Sequence, residues 1–456
     1  MNKEKENDLG TESVGKLLFR LAIPAIIAQL VNVLYNIIDR MFIGRLPDGD
    51  MAMAGVGVAF PIITLISAFS ALIGMGGAPI AAIKMGKKDN DGAEKILSNS
   101  FSMLIIISLI LTVVFSIYKE PILLAFGGSS ATIDYAMSYL GIYLLGTLCV
   151  QISLGMNPFI NTQGFSKIGM MTVMIGAVIN IILDPVFIFI LNMGVKGAAL
   201  ASILGQFVSA IWALNFLFGK KSILKIQKKY IVPDIKVVGA IVALGISPFI
   251  MQSTESLVLI CQNNQLLRFG GDMAVGAMTI MSSVSQIILM PLMGLSQGAQ
   301  PIISFNYGAG NMDRVKNSFK LLLTCCVLYT VVMAGSVISF PQTFVRLFNN
   351  KPELMEITSW SMRIFFIGMT IFGAQIACQQ TFLALGKAKI SLILALLRKV
   401  ILLVPFTFIL PALMENKLMA TLIAEPVADI LATLITTICF YIFSKKMFDV
   451  KESEIN

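Results

Sequence analysis

Apolar runs of about twenty residues recur from one end of this chain to the other, and no polar stretch between them is long enough for a separate soluble domain. Roughly twenty consecutive apolar residues is the length at which a helix crosses hydrocarbon. In that solvent every backbone N–H and C=O must be satisfied internally, so spanning segments are helices or closed barrels, and runs of this length select helices. Of 456 residues 57% are hydrophobic and 13% charged, about half the charged share of a soluble domain. A water-soluble fold is excluded on that balance.

Polar breaks divide the chain into spans near 17–43, 54–83, 96–117, 135–157, 169–191 and 196–218, then 238–264, 274–304, 317–339, 357–381, 390–411 and 418–443. Pro24, Pro61 and Pro248 fall inside spans and should kink those helices without ending them, because neighbouring groups can satisfy the freed carbonyls. The first run is long, carries polar residues throughout and has no small-residue cleavage site after it, so it reads as a span and not as a removed signal. Lysine and arginine set the orientation: the N-terminus, the even-numbered connections and the C-terminus carry 22 with Lys320 at a span edge, the odd-numbered connections seven with Lys196 at a span edge. By the positive-inside bias both termini are expected in the cytoplasm, with the chain in the plasma (inner) membrane, and an even span count is required.

The two sets of six spans repeat. A shift of 222 residues brings Pro79 onto Pro301, Gly86 onto Gly308, Asp91 onto Asp313 and Gly164 onto Gly386, with the intervening loops in register. Six is even, so both halves share one orientation and are related by an axis along the membrane normal. The fold expected is all-α and integral to the membrane: twelve transmembrane helices in two pseudo-symmetric six-helix bundles. An N-lobe over 1–218 and a C-lobe over 238–456 are joined by a basic cytoplasmic linker, 219–237. Transporters built from such repeats place substrate near the midplane, between the halves.

Several function classes drop out. The net charge of +9 is carried largely by lysines in short loops, so it orients the chain and gives no reason to expect nucleic acid. Histidine is absent, which leaves any proton chemistry to carboxylates. Cys149, Cys261, Cys325, Cys326, Cys378 and Cys439 are scattered through apolar segments, with neither metal-ligand nor disulfide spacing. No phosphate-binding P-loop is present, so an ion gradient is the expected energy source, with no cofactor and no catalytic residue.

Ionisable groups inside hydrocarbon are costly, and each calls for a reason. In the first span Gln29, Asn32, Asn36 and Asp39 are spaced by 3, 4 and 3 residues, which puts them on one helical face. That stripe is either polar glue between helices or the lining of a water-filled cavity; Arg40, near the outer end, reads as an interfacial anchor. In the fifth span Asn180 and Asp184 are one turn apart. Asp39, Asp184 and Ser202 lie roughly 6, 10 and 9 Å from the outer ends of their spans at 1.5 Å per residue. Two carboxylates with amide and hydroxyl oxygens at one level suit a sodium ion or a proton shared between like charges. Asp39, Asn180 and Asp184 are the only metal site expected, and for Na+ alone. In the second half Gln252, Glu255 and Gln262 share a face of the seventh span, while register with Pro24 puts Asn263 where Asp39 stands. Glu255 then sits alone among amides and reads as a protonatable substrate contact. Arg398 and Lys399 lie at mid-depth in the eleventh span and Asp429 in the twelfth, with Glu425 shallower; Arg398 with Asp429 reads as a structural ion pair.

Three stretches resemble the multidrug and toxic compound extrusion (MATE) family, in its DinF-like and MepA-like branch. They are Asp39 followed by Phe42-Ile43-Gly44-Arg45, then Asn180 through Asp184-Pro185 to Gly194 and on to Ser202, and Gly294-Leu-Ser-Gln297-Gly298-Ala-Gln300-Pro301 continuing to Asn306-Tyr307-Gly308-Ala309-Gly310 and Arg314-Val315. The resemblance covers essentially the whole chain. It implies a V-shaped pair of lobes and alternating access, exporting organic cations or amphiphiles in exchange for H+ or Na+. It maps the coupling cation to Asp39, Asn180, Asp184 and Ser202, with serine where threonine is usual. Gln29, Asn32, Asn36, Glu255, Gln297 and Gln300 are the candidate substrate pathway. Expected partners are cationic or amphiphilic drugs and membrane lipid, and the chain is expected to act as a monomer. The alternative within the wider superfamily is a flippase for lipid-linked precursors, which would carry a cationic central cavity.

The topology is open to a direct check. With the six native cysteines replaced, Lys225→Cys and Lys446→Cys should both react with an impermeant thiol reagent from the cytoplasmic side only; reaction of either from outside would dismantle the twelve-span topology.

Overall fold

A computed structural model describes residues 8–348 and 351–455; residues 1–7, 349, 350 and 456, at the ends of the two expected halves and in the ninth connection, lie outside the described residues. Every regular element among those described is helical. Eleven helices are long and apolar enough to span a membrane: α1 (Val14–Ile43), α2 (Gly49–Gly86), α3 (Asn90–Ala125), α5 (Ser166–Ile190), α6 (Val195–Phe218), α7 (Ile235–Gly271), α8 (Met273–Gly308), α9 (Met312–Ser339), α10 (Pro352–Ala384), α11 (Ala388–Leu413) and α12 (Lys417–Met447). The remaining span, α4, is a pair, Ile133–Leu145 and Thr147–Thr162, bent by 61°. Twelve spans are present if that pair is counted as one.

The expected kinks behave as argued: Pro24, Pro61 and Pro248 all lie inside continuous helices. Two departures from ideal geometry were not anticipated. The span expected over 135–157 breaks at Gly146. Two helices also widen into π turns, at Val186–Ile190 after Pro185 and at Leu397–Leu403 just before Pro405. Pro405 has no N–H to offer the Ile401 carbonyl, and a wider turn relieves the clash its ring would make there.

Hydrocarbon gives helices no hydrophobic reason to associate, so close packing of small residues has to hold them. The halves meet on the side of the bundle that carries both termini. A Cβ on Gly245 of α7 would collide with the carbonyl of Leu72 in α2, and one on Gly294 of α8 with the backbone of Ile26 in α1. Gly86 likewise abuts the Phe305 carbonyl, and Gly308 the Ile83 carbonyl. The 222-residue shift carries Ile83 and Gly86 onto Phe305 and Gly308, so the last two contacts are copies of one another. On the same side, Arg314 donates to the carbonyls of Leu9 (3.1 Å) and Glu12 (2.7 Å) and to Asn306 Oδ1 (3.0 Å), fastening the start of the chain to the α8–α9 turn.

The basic segment between the halves is bound along its length. Gln163 Oε1 accepts from the amides of Ile223 (2.8 Å) and Leu224 (2.9 Å). Glu94 accepts from the Lys225 amide (3.0 Å) and Ser98 from that of Gln227 (2.8 Å). Asn99 holds the Tyr230 carbonyl (3.0 Å) and the Asp234 amide (2.6 Å). Glu94, Ser98, Asn99 and Ser102 recur at helical spacing, so one face of α3 serves this strap. Lys95 closes it with a 2.6 Å ion pair to Asp234 and holds that carboxyl below the usual carboxylate range.

Two alanine substitutions on α7 separate the seam from ordinary helix surface. Gly239 has nothing within 4 Å of its would-be Cβ, so Gly239→Ala should be neutral or stabilising by up to about 1 kcal/mol through helix propensity. Gly245→Ala should instead lose about 1–3 kcal/mol to overpacking, read as a lower thermal midpoint in detergent. Equal midpoints would mean that the α2–α7 approach is not tight.

Candidate functional site

The first-half site is set by where α5 and α6 meet. Gly194, at φ +56°, turns the chain, and Gly197 has no side chain to hold the start of α6 away from the Phe187–Ile188 backbone. That approach puts Ser202, two turns into α6, beside Asn180 of α5: Asn180 Nδ2 lies 3.2 Å from Ser202 Oγ and 3.4 Å from Asp184 Oδ1. Asp39, four residues before the end of α1, reaches the same place, where its carboxyl interacts directly with that of Asp184. Asp39, Asn180 and Asp184 are all buried. The four residues expected to share a level are therefore brought together.

Their bonding is incomplete in a consistent way. Asp39 Oδ1, Asp184 Oδ2 and Asn180 Oδ1 are buried oxygens with no hydrogen-bond partner among the described residues. Neither carboxylate is ion-paired to a lysine or arginine there; Arg40, next in sequence to Asp39, is exposed and stacks over the Phe60 ring at 5.0 Å. Two facing carboxylates without a cation are costly in a buried setting, so the arrangement has a place for one positive charge. No group of three or more His, Cys, Asp or Glu that could hold a metal occurs among the described residues. Two carboxylates and an amide oxygen are nonetheless hard donors of the type that suits Na+.

The rest of the α1 stripe parts company with Asp39. Gln29 and Asn32 are half-buried and Asn36 is exposed, its amide donating 2.7 Å back to the Asn32 carbonyl. On α8, where Gly294 and Gly298 pack on α1, Gln297 is half-buried, and Gln300 is buried with its Nε2 unpartnered among the described residues.

The site also contains residues that sequence reasoning passed over. Tyr35, one turn before Asp39, interacts electrostatically with Asp39 and Asp184, and Tyr139 with Asp39. Tyr139 stacks on Tyr143, with ring centres 6.2 Å apart. The signal was available in the spacing of Tyr135, Tyr139 and Tyr143, four residues apart on one face of α4.

In the second half the expected pair is present: Arg398 Nε donates to Asp429 Oδ1 at 2.6 Å. Arg398 also reaches Glu425 Oε1 at 3.0 Å and lies 4.4 Å from the Phe372 ring centre, while Gln262 Nε2 donates to Glu425 Oε2 at 2.6 Å. The expectation for Glu255 is corrected. It is not alone among amides, because Lys399, adjacent to Arg398 in the widened part of α11, forms an ion pair with it and also donates to the Met251 carbonyl at 2.7 Å. The shared face of α7 divides accordingly: Gln262 turns inward to Glu425, and Glu255 faces outward onto the ammonium of Lys399.

Twelve helical spans in two pseudo-symmetric sets of six, with a buried carboxylate pair at a level reached by three helices, define a transporter architecture. The MatE family model matches residues 24–186 and 248–409, and the chain belongs to that family. Two relatives are multidrug export proteins called MepA. That of Staphylococcus haemolyticus (strain JCSC1435) is 26% identical over 93% of each chain, and that of Staphylococcus aureus (strain NCTC 8325 / PS 47) 24% identical over 92% of this chain and 93% of its own. Among solved structures, a MATE in the bent conformation superposes with a TM-score of 0.91 over 99% of each chain at 21% identity. An outward-facing multidrug resistance MATE family transporter of the MOP superfamily gives 0.91 over 98% of this chain and 100% of its own, also at 21% identity. A MOP superfamily transporter from Pyrococcus furiosus, described as having a binding pocket of reverse polarity, gives 0.87 at 22% identity.

The Arg398 cluster predicts an asymmetric mutational response. Arg398→Met strands Glu425 and Asp429 together and should cost about 3–5 kcal/mol, the usual penalty for removing one partner of a buried ion pair. Adding Glu425→Gln and Asp429→Asn should restore most of the lost thermal midpoint. A single mutant as stable as the parent would show that the carboxylates do not depend on the guanidinium.

Proposed function

We propose that this chain is a secondary active multidrug efflux antiporter that exports organic cations and amphiphiles in exchange for H+ or Na+ by alternating access. The observation that carries the reading is the buried Asp39–Asp184 pair, with unpartnered oxygens and neither carboxylate ion-paired to a lysine or arginine among the described residues. The MepA relatives support the substrate class.

In this reading the coupling ion is a transported substrate. A proton would be held between the two carboxyl groups; Na+ would be held by Asp39, Asp184 and the Asn180 carbonyl oxygen, with Ser202 orienting Asn180 through their 3.2 Å contact. Coupling needs only that the loaded pair favour one arrangement of the halves and drug the other, because a ligand shifts an equilibrium by its difference in affinity for the two states. With both termini in the cytoplasm, the seam of α1, α2, α7 and α8 closes the inner side and leaves Asp39 and Glu255 toward the outside. Arg398 and Lys399 do not favour the flippase alternative: each is ion-paired, and the cluster holds three carboxylates against two cations.

Asp39→Asn and Asp184→Asn each remove one charge at nearly constant size. In proteoliposomes with separately imposed proton and sodium gradients, each should reduce gradient-driven drug efflux to background while drug binding in detergent persists. The gradient that drives wild type identifies the ion, and unimpaired transport by both mutants would overturn the assignment.

A further inference from the structure

The two ion pairs of the second half are built differently. In Arg398–Asp429 both side chains are withdrawn from solvent, 16% and 3% exposed. In Lys399–Glu255 the lysine side chain is 7% exposed and the glutamate side chain 71%. An exposed glutamate side chain halfway along a spanning helix cannot rest its charge against lipid at tolerable cost, so its open side faces a water-filled space. Lys399 is held from beneath by the Met251 carbonyl, 2.7 Å away, and lines a cavity with Gln375, Gln379 and Arg398. The other charged groups packed against it are accounted for, since Arg398 is shared between Asp429 and Glu425. Lys399 therefore has Glu255 as its carboxylate, and Glu255 has one face on Lys399 and one on water.

We propose that Lys399 is a tethered counter-cation that sets the charge selectivity of the water-filled space beside Glu255, occupying the carboxylate a cationic substrate would otherwise take. This rests on the drug-export reading and deepens it. A monocation entering that space meets a Glu255 already neutralised from behind, and binds by competing with an ammonium whose effective concentration is set by its tether. A neutral amphiphile meets no such competition. A purely structural lysine would burden both kinds of ligand alike when lost; a competing one burdens cations when present. Lys399 is thus a specificity-determining residue acting through Glu255, and the cluster's excess of one carboxylate over its own cations is the charge a bound monocation would balance.

The test compares tetraphenylphosphonium, a permanent monocation, with triphenylphosphine oxide, a neutral molecule of similar shape, both bound to the purified full chain in detergent. Lys399→Met removes the charge and Lys399→Gln keeps a donor for the Met251 carbonyl, so the two do not share a folding defect. Each should bind the cation about tenfold more tightly, a difference of about 1.4 kcal/mol, with the neutral probe unchanged within about twofold. Lys399→Arg should keep the wild-type ratio of the two affinities. Adding Glu255→Gln to Lys399→Met should erase the gain. The proposal is overturned if the Lys399 variants shift both probes equally, or if cation binding tightens just as much without the Glu255 carboxylate. Wild type that binds neither probe would remove the drug-export reading itself, and this inference with it.

Discussion

Hydrocarbon accepts no hydrogen bonds and solvates no charge, and the position of each ionisable side chain in this protein follows from that. The two halves answer it in different ways. The first places two carboxylates together and ion-pairs neither to a lysine or arginine among the described residues. The second supplies Arg398 and Lys399 from its own eleventh helix and distributes three carboxylates around them. One half leaves its buried carboxylates without a side-chain counter-charge and the other supplies its own.

The same constraint shapes the seam between the halves. Without water to expel, helices gain from contact only through close packing, and backbone meets backbone where glycine allows it. Gly245 on Leu72 and Gly294 on Ile26 are contacts of that type, and both lie on the side of the termini. Toward the other side polar side chains such as Asn36 and Glu255 are open.

What could be read in advance was what local spacing determines. Span positions follow from composition over about twenty residues, and the convergence of Asp39, Asn180, Asp184 and Ser202 follows from helical rise measured from span ends. The Glu255–Lys399 pair could not be read that way. Its members are 144 residues apart on different helices, and nothing in either segment specifies that α7 and α11 pack with those faces together. The break at Gly146 was equally opaque, since glycine is common inside membrane helices and only the neighbours decide whether one bends. The tyrosines were legible by spacing; they were passed over because aromatic residues in apolar helices so often merely pack.

The strap from Ile223 to Asp234 has a mechanical consequence. A covalent connection of this length would ordinarily allow the joined bodies tens of ångströms of play, as a flexible coil does. Here the amides of Lys225, Gln227 and Asp234 and the carbonyls of Tyr230 and Ile231 are held by α3, almost to the first residue of α7. The slack in the connection is small, so the N-terminal end of α7 is moored to the N-terminal end of α3. Any motion between the bodies must turn about that mooring: the far ends can swing, but the near ends cannot drift apart.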